Sequence, residues 1–242
     1  MQKTRQKFFL GLGALILVSL SFSLANSKTN LLIGNLFFSK RHQLYNIHLA
    51  QFFFTQASYP LIGHEVEFAH YQLGRTYFIQ GKNKTALNEI EKELEVFPEN
   101  KRSYYMLGLI YGYLNREEKA IEAFEKFINW KPDTWAGRND KAWLEFRVGK
   151  IDEALDTIEP VTDLIDNPWV QNTYGVLLMN KKRYTEARQA LLYAQKAANR
   201  LTPREWGATY PGNDPRIYAT GLEAMRTTIE KNIDTVNSNL HE

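Results

Sequence analysis

Small and large apolar residues recur along most of this chain at helical intervals, and their grouping predicts its elements. The first group is an uncharged run of 18 residues, Phe8 to Ala25, preceded by Lys3, Arg5 and Lys7. As a helix it measures about 27 Å, close to the roughly 30 Å of membrane hydrocarbon. A helix of a globular domain seldom lacks a polar face for five turns, so the pattern predicts export or anchoring. Ser23-Leu24-Ala25 suits signal-peptide cleavage. The length of the run favours an uncleaved anchor, with the basic end in the cytoplasm and the rest of the chain outside it.

Beyond that run the pattern becomes periodic. Gly74, Gly108, Ala142 and Gly175 stand 34, 34 and 33 residues apart. Ala86, Ala120, Ala154 and Ala187 keep the same intervals, each 12 residues after its small partner. Ile90, Phe124, Ile158 and Leu191 follow the alanines by four. This predicts two antiparallel helices per unit, with a small residue on each at the crossing so that the axes approach to about 8 Å. "IQGKN" (residues 79–83) and "RVGKI" (residues 147–151) supply the break between helices, and Pro98 and Pro132 close the first two units. The shortened interval is expected at the turn from Asp166 to Pro168. Upstream, Ala50, Phe54 and Ala57 have the spacing of a second helix, with "LLIGNLFF" as its first.

The units "YQLGRTYFIQGKNKTALNEIEKELEVFPEN" and "YYMLGLIYGYLNREEKAIEAFEKFINWKPD" closely resemble tetratricopeptide repeats. The next unit departs at Lys141 and Glu145, where the family has apolar or aromatic residues, and the fourth has Asn199 in place of the closing proline. The resemblance implies an all-α superhelical solenoid of about four helix pairs. Its expected divisions are 1–30, a signal-anchor or signal peptide; 31–66, a degenerate helical repeat; 67–201, four repeats; and 202–242, a loop and a capping helix. That last helix is expected from Pro215 onward, with Ile217, Leu222, Met225, Ile229, Ile233 and Val236 covering the open end of the array.

Composition narrows the chemistry. There is no cysteine, which removes disulfides, thiolate catalysis and Cys-ligated zinc. Apart from Lys3, Arg5 and Lys7, the Lys and Arg residues number 27, equal to Asp and Glu, so there is no basic excess for nucleic acid. "GHEVEFAH" (residues 63–70) imitates a zinc-protease helix, but Phe68 stands where the second histidine belongs. It reads as the loop and first turn of a repeat, with His70 in the packing column and Glu65 and Glu67 suited to a helix N-terminus. The carboxylates of Asn88 to Glu95 read as a solvated face. No metal, cofactor or catalytic residue is expected. The rival is a cell-envelope hydrolase with its site in the loop 203–215, using Glu205 or Asp214.

For a non-catalytic scaffold, the resemblance implies a protein or peptide partner in a concave groove lined by the leading helices. Carried onto this chain, the ligand-facing positions are Tyr71, Arg75, Phe78, Tyr105, Asn139, Trp143 and Asn172. Tyrosine, tryptophan and arginine often anchor interfaces, and Asn139 and Asn172 can pair with a peptide amide. Tyr71 and Tyr105 replace the clamp with which relatives hold acidic chaperone tails, so that specificity is not expected. Membrane attachment is assigned to residues 8–25.

Overall fold

The computed structural model describes residues 26–39, 44–61, 63–210 and 213–240. The apolar run Phe8 to Ala25 lies outside them, and among the described residues no helix is long and apolar enough to cross a membrane. Those residues form twelve α-helices and no strand. A first hairpin, α1 (Ser27–Phe38) and α2 (Ile47–Ser58), precedes four more pairs. The leading helices are α3 (Ala69–Ile79), α5 (Arg102–Tyr113), α7 (Trp135–Arg147) and α9 (Pro168–Asn180). The trailing helices are α4 (Asn83–Val96), α6 (Glu117–Trp130), α8 (Ile151–Ile158) and α10 (Tyr184–Arg200). A short α11 (Pro203–Thr209) and a long α12 (Tyr218–Leu240) complete the chain.

Within each pair the small residue of the leading helix faces the large residue of the trailing one. A Cβ on Gly74 would lie 2.7 Å from the Ile90 side chain, and one on Gly108 2.6 Å from the Phe124 ring. On Gly175 it would lie 2.7 Å from Leu191. Gly34 meets Phe54 in the same way, so the first hairpin obeys the same rule. It begins at Ser27 rather than after residue 30, because the Asn26 side chain accepts from the N–H groups of Lys28 and Thr29.

The inter-helix turns share one device. The residues two past the leading helices, Gly81, Asn115, Gly149 and Lys182, all have positive φ, between 53° and 82°. Each is followed by an N–H that bonds back five residues, as Lys82 to Tyr77 at 2.9 Å and Arg183 to Leu178 at 2.9 Å. This closure turns the chain sharply and satisfies the last carbonyls of the helix. Gly81 and Gly149 reach it without a Cβ penalty, whereas Lys182 holds the left-handed conformation at some cost.

Three local expectations are corrected. The shortfall in the third unit arises after Ile158, where a 3-10 turn over Glu159–Val161, containing Pro160, ends the trailing helix early. Asn167 then caps α9. The segment after residue 201 is not all loop: Thr202 and Glu205 form a capping box that starts α11. The carboxylates of α4 are not all solvated, since Glu89 and Glu93 are buried. Glu93 accepts from the backbone N–H groups of Phe68 and Tyr71, at 2.6 and 3.0 Å, and so caps α3 across the repeat. Phe68 there has φ 71°, and Glu65 and Glu67 precede the helix rather than cap it.

His70 is buried, with Nδ1 2.6 Å from Glu89 Oε2 and its ring edge-on to Tyr59. Burial works to raise the Glu89 carboxyl, but the hydrogen bonds from His70 and Tyr59 outweigh it and hold the group below its ordinary range. Lys141 and Glu145, polar where apolar side chains were expected, pair with each other at 3.3 Å.

The last helix packs Ile229, Ile233 and Val236 against Leu191, Ala194 and Ala198 of α10. Arg226 donates to the carbonyls of Ala198 and Leu201, at 3.2 and 3.1 Å, which closes the C-terminal end of α10.

Replacing Gly108 by valine should cost about 1–3 kcal/mol, the usual range for overpacking, because the Phe124 ring cannot withdraw from the crossing. Chemical denaturation of the purified variant reads this directly; an unchanged midpoint would contradict the crossing geometry.

Candidate binding site on the concave face

The leading helices line the inner face of the superhelix, and the chain after Arg200 returns across it as a strap. Trp135 at the start of α7 and Trp169 at the start of α9 have ring centroids 5.8 Å apart. Tyr210 of the strap packs against both, at 6.1 and 5.9 Å. That seat directs its hydroxyl to Asp140 Oδ1, to which it donates at 2.9 Å. Tyr105 of α5 donates to Asp140 Oδ2 at 2.8 Å, and Asn139 Nδ2 donates to Oδ1 at 3.1 Å. The strap also reaches the other end of the array. Tyr45, just before α2, has its hydroxyl pushed up to about 12, first by burial and then by the nearby Asp214 charge.

Between α3, α5, α7 and the strap remains a cavity of about 440 Å³. Phe78, Tyr113, Trp143, Leu144, Ile217 and Asp140 are among its walls. Tyr113 stands edge-on to Phe78 at 5.2 Å and Trp143 lies over Phe146 at 5.4 Å. Both Tyr113 and Trp143 are exposed large apolar side chains, 69% and 41% accessible. Their exposure leaves a sticky mouth on an otherwise packed face.

Asp140 is the electrostatic centre of this site. Burial pushes its carboxyl up from 3.8 to about 6, although the bonds from Tyr105, Tyr210 and Asn139 pull it down. Burial and the Asp140 charge in turn raise the Tyr105 and Tyr210 hydroxyls well above their ordinary value. Arg147, which shares the cavity wall, is paired with Glu117 at 3.0 Å.

The residues expected to face a ligand are divided by this arrangement. Phe78 and Trp143 line the cavity. Tyr105 and Asn139 are buried and act through Asp140. Arg75 turns away to the first hairpin, its guanidinium 4.8 Å from the Phe38 ring and 5.7 Å from that of Tyr71, with burial lowering its pKa. Asn172 accepts from Asn232 of α12 at 3.0 Å. The seven therefore do not share one open surface, because α1, the strap and α12 fold onto the face they were expected to leave free. Sequence reasoning missed Asp140, Tyr113 and Tyr210. Asp140, Trp143 and Arg147 at i, i+3 and i+7 on one helix were the available signal.

The loop carboxylates of the rival reading serve local structure. Glu205 accepts from the N–H and hydroxyl of Thr202, both at 2.8 Å, which holds its carboxyl low. Asp214 accepts from the N–H and guanidinium of Arg216.

The geometry defines an all-α repeat solenoid with its own C-terminal segment laid across the inner face. Residues 101–134 match a family model described as tetratricopeptide repeat, so the tetratricopeptide reading of these helix pairs is supported. Among solved structures, YrrB, described as a TPR protein with an unusual peptide-binding site, superposes with a TM-score of 0.57 at 20% identity. That match covers 73% of this chain and 88% of YrrB. A thermophilic TPR protein of Thermus thermophilus gives 0.54 at 19% identity, over 81% of this chain and 98% of that one. These likenesses establish the fold. In sequence the chain is 27% identical over 145 residues to the BBSome complex member BBS4 of Bos taurus, covering 60% of this chain and 27% of that protein. The chain spans 27% or less of the length of the curated relatives it matches.

The raised carboxyl of Asp140 fixes a sign for its effect on stability. The folded state holds this proton more tightly than the unfolded chain, so ionising Asp140 costs stability as pH rises from about 4 to about 6. Asp140→Asn removes that cost, worth up to about 3 kcal/mol at about 1.4 kcal/mol per pKa unit. The melting temperature of the variant, relative to the parent, should therefore be higher at pH 7.5 than at pH 4. A difference independent of pH would show that Asp140 is not held in this environment.

Proposed function

We propose that this protein is a non-catalytic scaffold that takes a peptide segment or helix of another protein into the concave cavity. The observation that carries the reading is the pairing of exposed Trp143 and Tyr113 around an open cavity lined by the half-buried Asp140 carboxylate. Aromatic side chains at the centre of a concave, partly desolvated patch are the usual anchors of protein recognition. The strap narrows the groove, so the partner contact is confined to α3, α5 and α7 rather than running the length of the array. The fold shared with YrrB, itself a peptide-binding TPR protein by its description, supports the same reading.

The proposal extends to location: residues 8–25 hold the module at a membrane, and the repeats lie outside the cytoplasm. The support is the uncharged 18-residue run behind Lys3, Arg5 and Lys7.

A photo-crosslinking residue at Trp143 in the full chain, followed by mass spectrometry of what it captures from solubilised membranes, identifies the partner. Trp143→Ala should then weaken binding of that partner by about 2 kcal/mol or more. It should cost folding less than the roughly 3–5 kcal/mol of a core tryptophan deletion. Unfolding of the variant with unchanged affinity in the folded fraction would remove Trp143 from the interface. Carbonate-washed membranes should retain the full-length protein; recovery in the soluble extracytoplasmic fraction with an N-terminus at Asn26 would contradict the anchor.

A further inference from the structure

We propose that the cavity receives the ammonium group of a lysine side chain presented by the partner, with the Asp140 carboxylate as its acceptor. This rests on the concave cavity being the partner's site. The carboxylate has about four lone-pair positions, and the hydrogen bonds described above use two on Oδ1 and one on Oδ2. One position on Oδ2 remains. A single open acceptor fits the point charge of an ammonium, whereas a guanidinium seeks two parallel bonds.

Charge and wall chemistry agree with this occupant. Asp140 forms no ion pair among the described residues, and a buried charge left alone is costly. The cationic side chain on the same wall, Arg147, is committed to Glu117. Phe78, Tyr113 and Trp143 offer ring faces and edges to a lysine's methylene stem and can add cation–π attraction. An acidic side chain in this position would meet the Asp140 charge. The groups packed on Asp140 are Tyr105 from α5, Tyr210 from the strap and Asn139 from α7. Both tyrosines stay neutral below pH 8, so a change of affinity between pH 5 and 7.5 follows Asp140.

The test uses the full chain and three blocked amino acids as probes: the amides of Nα-acetyl-lysine, Nα-acetyl-norleucine and Nα-acetyl-glutamate. The indole N–H resonance of Trp143 reports binding. At pH 7.5 the lysine probe should bind about tenfold more tightly than norleucine, the scale of a hydrogen bond to a charged group. That preference should shrink toward pH 5 in the unaltered protein, and Asp140→Asn should erase it. Equal binding of lysine and norleucine, preference for glutamate, persistence of the preference in Asp140→Asn, or no response to any probe would each overturn the proposal. Capture of a partner at Trp143 with affinity indifferent to Asp140→Asn defeats the lysine site alone. A lysine preference without any capture at Trp143 defeats the partner reading instead.

Discussion

Everything in this molecule depends on how closely two helices can approach when one of them carries no side chain at the crossing. Gly74, Gly108 and Gly175 each leave room for one large side chain of the trailing helix, and Gly34 does so in the first hairpin. Ala142 does the same work in the third pair and is fully buried. Close approach fixes the angle between helices, and repetition of one angle makes a superhelix with an inner face. The left-handed residue after each leading helix serves the same constraint, since it returns the chain within three residues to the start of the partner helix.

The inner face then meets a second constraint, because a one-dimensional array has ends that must be covered. Here the C-terminal segment does both tasks. Its long helix buries Ile229, Ile233 and Val236 on α10. The strap before it places Tyr210 between two tryptophans and brings a hydroxyl to Asp140. Self-association of this kind divides the groove into a filled half over α7 and α9 and an open half over α3, α5 and α7. The site is therefore a product of the repeats and of the segment outside them, and its charge is placed where the two meet.

This explains what was readable in the sequence and what was not. Helix pairs and the crossing residues follow from spacing, since each depends on neighbours within one or two units. The capping stripe of the last helix was legible from Leu222 to Val236, because it repeats at helical intervals, but Ile217 lies in a 3-10 turn before the helix and is exposed. Long-range folding back was hidden. Nothing in "TPREWGATYPGNDP" announces that Tyr210 reaches a carboxylate 70 residues earlier, and Glu93 looks like a surface charge until α3 needs a cap. Tyr105 and Asn139, expected to face a ligand, spend their polar groups inside the protein. A family pattern gives the direction of a side chain; it does not give what the rest of the chain puts in front of it.

The contact between the strap and Asp140 is where repeats and C-terminal segment are joined, and a double-mutant cycle measures it. Unfolding free energies of Asp140→Asn, Tyr210→Phe and the double variant, taken at pH 7.5, yield the coupling between the two groups. A hydrogen bond to a charged carboxylate in a partly desolvated site predicts a coupling of about 1.5–3 kcal/mol. Additivity within about 0.5 kcal/mol, the behaviour of sites that do not touch, would mean that the strap does not close over the groove as described.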